Sequence, residues 1–203
     1  MISLVYFTSD LHLGHERIIE YCRRPFATVE QMDEVLIENW NKTVHKLDTV
    51  YIMGDFVWKK QMLPYYMSRL KGKKVLLKGN HDTWAKNREA NAELFALFER
   101  VELLIEESIC SHPMTLCHYP MLEWNMSRKD ESNSKLGYLI HGHIHNSKDL
   151  IYRTLFELPH ALNAGVDING YRPVDFETLL MNNQSFKKNN GRMDKPHFTI
   201  DKF

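Results

Sequence analysis

The apolar residues of this chain fall into short unbroken runs separated by longer stretches with helical spacing. Residues 2–8 are dense in β-branched and aromatic side chains and predict a buried strand, as do residues 49–53 and 74–78. Between the first two runs, Val29, Met32, Leu36, Trp40 and Val44 follow the spacing of one helix face, so residues 29–45 predict an amphipathic helix. Thr28 and Gln31 supply a capping box at its start. A shorter helix is expected over 61–70, with Pro64 acceptable only in its first turn. Further along, 91–99 predicts a helix, 101–105 and 114–117 strands, 125–136 a polar loop, 138–140 and 161–166 strands. Residues 175–188 predict a last helix with Phe176, Leu179 and Leu180 facing inward, and the polar stretch from about 189 reads as a tail.

Polar clusters follow directly on the strands. The first strand delivers Asp10 and His12, the second Gly54 and Asp55, the third Gly79-Asn80-His81-Asp82. The run at 114–117 delivers His118, and the run at 138–140 delivers His141, His143 and His145 around Gly142. Strand, cluster, helix, strand is the order of an α/β sheet, and in such sheets sites form beyond the carboxyl ends of the strands. Side chains two residues apart share a strand face, so each Asp-x-His or His-x-His pair points one way. Singly, each cluster is ordinary; Asp10 could equally cap a helix beside a surface histidine. The recurrence at one end of five strands is the signal.

Composition narrows the class. At 203 residues the expectation is one domain covering 1–203, long enough to bury a sizeable core. Lys+Arg and Asp+Glu are both 26, so the formal net charge is zero, which disfavours sequence-independent nucleic-acid binding. Three cysteines without a C-x-x-C pair argue against a disulfide framework or zinc ribbon. With no signal-peptide pattern at the start and no run of membrane-spanning length, the sequence reads as cytoplasmic, with no membrane partner. Histidine, at 11 copies, is the outlier.

Asp10, His12, Asp55, Asn80, His118, His143 and His145 offer oxygen and nitrogen donors suited to first-row divalent ions. Seven donors exceed what one ion needs, and two ions sharing a carboxylate would use them all. Asp55, behind Gly54, is the natural bridge. Asp-x-His, Gly-Asp, Gly-Asn-His-Asp, a lone His and Gly-His-x-His, in that order over residues 10–145, resemble the calcineurin-like metallophosphoesterase superfamily. Residues 8–15 and 163–173 are similar to its small stand-alone bacterial and phage members. The resemblance implies a four-layer αββα sandwich of two mixed sheets flanked by helices, with a dinuclear metal site at the strand C-terminal ends. It implies Asp10, His12 and His145 on one ion, Asn80, His118 and His143 on the other, and Asp55 bridging. His81 would face the phosphoryl group as general acid or charge stabiliser, with Asp82 orienting it. Two divalent ions, Mn²⁺, Fe or Zn²⁺, would polarise the phosphoryl oxygens and make water nucleophilic near neutral pH.

The resulting expectation is a metal-dependent phosphoesterase acting on a small phosphodiester or nucleotide-like phosphate. A nuclease for short nucleic acid is the second enzyme reading, though it calls for a basic groove. A non-catalytic interaction scaffold would typically have lost ligands that are all present here. His15 is a candidate phosphate contact, and Arg128 and Lys129 in the 125–136 loop are candidate substrate contacts. Arg23, Arg24 and Arg172 could clamp an anion but read more simply as surface or structural charges, and His141 as a buried, satisfied histidine.

Overall fold

In the computed structural model, which describes residues 3–128 and 135–189, eight strands form two four-stranded sheets. The first contains β1 (Val5–Thr8), β2 (Thr49–Ile52), β3 (Lys73–Leu77) and β4 (Arg100–Glu102), all parallel and in that spatial order. The connections between them carry helices α1 (Arg17–Tyr21), α2 (Val29–Thr43), α3 (Leu63–Arg69) and α4 (Ala92–Phe95). The second sheet contains β5 (Leu104–Ile109), β6 (His112–Cys117), β7 (Tyr138–His141) and β8 (Ala161–Asn163). Here β5 and β6 are an antiparallel hairpin, while β7 and β8 add in parallel. Helix α5 (Leu150–Phe156) joins β7 to β8, and α6 (Phe176–Lys188) packs along β1 and β8.

Alternation along the strands builds the layers. Tyr6, Val50, Ile52 and Leu76 point into a core with Leu36, Ile37, Trp40 and Tyr66 of α2 and α3. Their neighbours Phe7, Tyr51, Met53, Val75 and Leu77 point the other way, against Ile105, Met114, Leu116, Ile140 and Leu162 of the second sheet. On that sheet's outer face, Leu139 and Ala161 meet Leu155 of α5, with Trp124 packed alongside. Helix, sheet, sheet, helix is the expected αββα sandwich. A parallel sheet covered on both faces needs runs apolar at every position, which explains why these strands lack polar alternation. Fully buried side chains such as Phe7, Trp40 and Leu76 each contribute about 1.5–3 kcal/mol.

Several elements differ from the sequence reading. The first sheet is parallel throughout its four strands; its antiparallel pairing is one bridge, in which Phe7 and Val174 exchange hydrogen bonds of 2.8 and 3.0 Å. Residues 101–105 are two strands rather than one, because the chain leaves the first sheet and enters the second at exposed Leu103. A continuous apolar run carries no period that would reveal such a switch. The helix expected over 91–99 is a 3₁₀ turn, Glu89–Asn91, followed by the single turn of α4, and the strand expected over 161–166 stops at Asn163. Helices α1 and α5 escaped notice because five and seven residues are too few to show a stripe. The capping box holds: Thr28 accepts the Gln31 N–H, and Gln31 reaches back to the Ala27 N–H. Among the described residues no helix is long and apolar enough to cross a membrane.

Candidate metal centre

The loops leaving β1 and β2 run side by side beyond the sheet. Asp10 and His12 donate their N–H groups to the carbonyls of Gly54 and Asp55, both at 3.0 Å, and Ser9 Oγ donates to Met53 O at 2.8 Å. The second sheet meets this pair directly. His143 N–H bonds Asp10 Oδ2 at 2.9 Å, while within the second sheet Gly142 N–H bonds His118 O at 2.9 Å. A Cβ on Gly142 would lie 1.9 Å from Ser9 Oγ, so only glycine lets the two sheets come together here. Asp10, His12, Asp55, His143 and His145 all have φ between 49° and 72°. Asp and His tolerate this left-handed region better than most residues, but each costs of order 1 kcal/mol or more, and such strain gathers at functional sites.

Within this corner the side chains converge. Asp55 Oδ2 lies 3.6 Å from His12 Nε2, 3.7 Å from His118 Nε2 and 4.0 Å from His81 Nε2. His145 Nε2 is 3.8 Å from Asp10 Oδ1, and these two with His12 form one group able to hold an ion. Asp10, Asp55 and His118 form another. Asn80 Oδ1 is 2.9 Å from His118 Nε2 and 3.1 Å from His143 Nδ1, which are themselves 3.2 Å apart. His118 Nδ1 sits 2.6 Å from the Met53 carbonyl, an acceptor, so Nδ1 carries the proton and the Nε2 lone pair faces Asn80. Asp10 Oδ1 and His12 Nε2 are buried with no hydrogen-bond partner. Orphaned acceptors cost free energy in a protein interior, and a divalent cation satisfies all of them together. The residues present therefore fit the two-ion set.

Electrostatics follow the same logic. Burial, reinforced by the positive charge of His145 and Arg24, pushes His12 down to about 2, keeping the imidazole neutral with a lone pair to give. Burial also lowers His143. For His145 burial is opposed and outweighed by the bond to Asp167, together with Cys22 and the charge of Asp10, so it is raised to about 11. An ion taking its Nε2 must displace that proton. Burial raises Asp55, His118 opposes, and the like charge of Asp10 adds to the rise.

Two placements differ from the sequence reading. Asp82, expected to orient His81, instead accepts the N–H groups of Asp55 (2.8 Å), Gly79 (2.9 Å) and Phe56 (3.4 Å). It braces two loops against each other, and burial raises it to about 6. His81 itself is tied by its backbone N–H to Asp55 Oδ1 at 2.8 Å, with its ring exposed. Of the residues after β6, Trp124 packs on the outer face of the second sheet and Arg128 pairs with Glu123, and Lys129 lies outside the described residues. A cleft of about 590 Å³ opens above the corner, lined instead by Arg17, Tyr21, Trp58 and Ile151 alongside His12, His15, His81, His143 and His145. His15 is thus beside the site, and His141 is a buried neutral histidine held down at about 4 by burial.

Asp167 is the residue the sequence reading missed. Its Oδ2 meets His145 Nδ1 at 2.9 Å, fixing the ring so that Nε2 faces Asp10. Arg24 binds the same carboxylate at 2.8 and 3.1 Å and also donates to the carbonyls of Asp10 and Leu11, so it is a structural charge. Together Arg24 and His145 hold Asp167 below the usual carboxylate range despite its burial. Its signal was its place in the 163–173 stretch.

The family model for calcineurin-like phosphoesterases matches residues 3–147. The chain belongs to this family, which makes it a metal-dependent phosphoesterase in general terms, of a family that typically binds two divalent ions. It is 29% identical to an uncharacterized protein of Methanocaldococcus jannaschii over 87% of this chain and 89% of the relative. It is 33% identical to the Gene 66 protein of Mycobacterium phage L5 over 71% of this chain and 79% of the relative. Among solved structures, a protein of unknown function from Aquifex aeolicus superposes with a TM-score of 0.63 at 26% identity, covering 85% of this chain and 95% of that one.

Proposed function

We propose that the chain hydrolyses a small phosphodiester or nucleotide-like phosphate at a pair of divalent ions. Asp10, His12 and His145 hold one ion, Asn80, His118 and His143 the other, and Asp55 bridges them. The observation that carries this reading is the pair of buried acceptors, Asp10 Oδ1 and His12 Nε2, left without partners where the ends of both sheets meet. Nitrogen and oxygen donors without thiolate suit Mn²⁺, Fe or Zn²⁺, with Mn²⁺ the first choice in vitro. Bound there, such ions supply Lewis-acid charge for the phosphoryl oxygens and acidify water near neutral pH.

The remaining chemistry belongs to the side chains. His81 presents its ring to the cleft while its backbone is fixed to Asp55, so it can protonate a departing ester oxygen or offset charge developing there. Asp82 holds the loops of Asp55 and His81 in register, and His15 lines the path a phosphate would take. Three free cysteines accord with a reducing, cytoplasmic setting. The test is metal analysis of the purified protein, followed by assay with Mn²⁺ against phosphomonoesters, phosphodiesters, cyclic nucleotides, dinucleotides and short oligonucleotides. Failure to bind two ions, or failure to turn over any of these esters with both ions bound, overturns the proposal.

A further inference from the structure

The cleft is lined by aromatic rings, of which Trp58 and Tyr21 have no part in the hydrolytic chemistry. His81, Trp58, His15 and Tyr21 are successive ring neighbours, with centroids 5.1, 3.8 and 6.4 Å apart. All four line the same cleft. The Trp58 indole lies flat on His15, with 9° between the planes, and its backbone is pinned because its N–H donates to Leu13 O at 3.0 Å. Trp58 is 39% exposed and Tyr21 65% exposed, although both are large apolar side chains, and Ile151, also lining the cleft, is 45% exposed. Large rings left open to water beside a reaction site are costly to a free protein and useful to one that stacks a planar ligand on them.

We infer that Trp58 and Tyr21 are specificity-determining residues forming a stacking subsite for a nucleoside, so that the substrate is a nucleotide ester whose base lies on these rings. The inference rests on the phosphoesterase reading above and adds the substrate class. Trp58 neighbours His81, with 5.1 Å between ring centroids, so a base resting on Trp58 belongs to the group whose ester oxygen His81 would protonate, the departing side of the phosphate. Every base has a π-face, so the rings select for a base without selecting among bases, and nothing about them requires a long strand.

The test uses the full chain loaded with Mn²⁺ and two substrate pairs that differ only in the base. These are adenosine 5′-monophosphate against ribose 5-phosphate, and the methyl esters of the same two phosphates. The base should raise kcat/KM by about 5- to 150-fold, the range that stacking one base supports. In Trp58→Leu and in Tyr21→Ala this preference should fall at least about fivefold, while Trp58→Phe, which keeps a ring on His15, should retain most of it. A second readout needs no turnover. Trp40 and Trp84 are buried and Trp124 packs on the far sheet face, so Trp58 should dominate any fluorescence quenching by adenosine 5′-monophosphate in metal-free protein. Quenching should be absent with ribose 5-phosphate and lost in Trp58→Leu. An unchanged base preference in both variants, or equal hydrolysis of both members of each pair, sinks the stacking subsite while leaving the phosphoesterase standing. Base-dependent quenching by Trp58 with no hydrolysis of these pairs or of the wider ester panel upholds the subsite and sinks the hydrolytic reading instead.

Discussion

Gly142→Ala is the sharpest single test of how the two sheets make the site. The added Cβ would lie 1.9 Å from Ser9 Oγ, 2.5 Å from Asp10 Oδ2 and 2.9 Å from Ser9 Cβ, whereas real Cβ contacts essentially never fall below 3.0 Å. Relief needs a shift of about 1 Å in atoms that are already fastened. Ser9 Oγ is bonded to Met53 O in a buried position, and Asp10 Oδ2 accepts the His143 N–H. Breaking the first bond costs about 1–3 kcal/mol, and overpacking a tight interior adds about 1–3 kcal/mol. The metal-free variant should therefore lose about 2–6 kcal/mol in urea unfolding. Its Mn²⁺ affinity should also fall at least about tenfold, because an assigned ligand is the second atom struck. Ser9→Ala/Gly142→Ala removes the 1.9 Å contact but leaves the one with Asp10. That double variant should recover part of the stability and little of the metal affinity, a split that a double-mutant cycle resolves. If Gly142→Ala unfolds within about 0.5 kcal/mol of wild type and binds Mn²⁺ normally, the described approach of the sheets is wrong.

Removing metal with EDTA should lower the melting temperature and adding Mn²⁺ should restore it, by about 2.7 kcal/mol at a hundredfold excess over Kd; scanning calorimetry showing identical melts, with removal verified, contradicts the centre. Asp55→Asn should lose bound metal and activity together, whereas His81→Asn should keep both ions and slow turnover by about 10²–10⁴-fold; an emptied site in His81→Asn would end its assignment as acid. Lys74 is buried and lowered to about 8 by burial, so its charge opposes folding below that pH. Since the folded-state value lies below the unfolded one, the penalty is full below pH 8 and fades as pH rises towards about 10.5. Lys74→Met should be more stable than wild type by about 1 kcal/mol at pH 7, after allowing for residual solvation and the lost bond to Leu70 O, and should lose that advantage by pH 10.5 in paired urea titrations.

The strand ends were legible because each wrote its chemistry locally: a run of apolar residues followed at once by Asp, Asn or His. The order of strand, polar cluster and helix pointed to an α/β sheet, whereas the αββα sandwich was implied only by the resemblance that the ordered motifs carry. What stayed hidden depends on contacts distant in sequence. Asp167 is a site residue only because the β8 connection brings it to His145, 22 positions away. Asp82 sits beside His81 in sequence, yet its carboxylate is claimed by amides of two loops, a choice that no spacing rule encodes. In the polar 125–136 loop Arg128 pairs with Glu123, a partner that the loop's composition does not reveal. Trp58 has no motif around it, and only its exposure beside His15 sets it apart.

The division of the assigned ligands between the sheets has a mechanical meaning. Asp10, His12, Asp55 and Asn80 follow strands of the first sheet, and His118, His143 and His145 follow strands of the second. Each proposed trio draws from both sides, so an ion held by either trio is a rivet through the sandwich. Asp10 and His145 are 135 positions apart, and a cross-link closing a loop of that order removes several kcal/mol of chain entropy from the unfolded state, about 4.7 kcal/mol for a hundred residues. Without ions, the two half-shells are held by the apolar core between the sheets, by the chain crossing at Leu103 on one edge and by the bridges through Gly165 and Val174 on the other. Under pulling force or protease attack, the half-shells should part along that plane first, and metal supply would then set how long the fold survives.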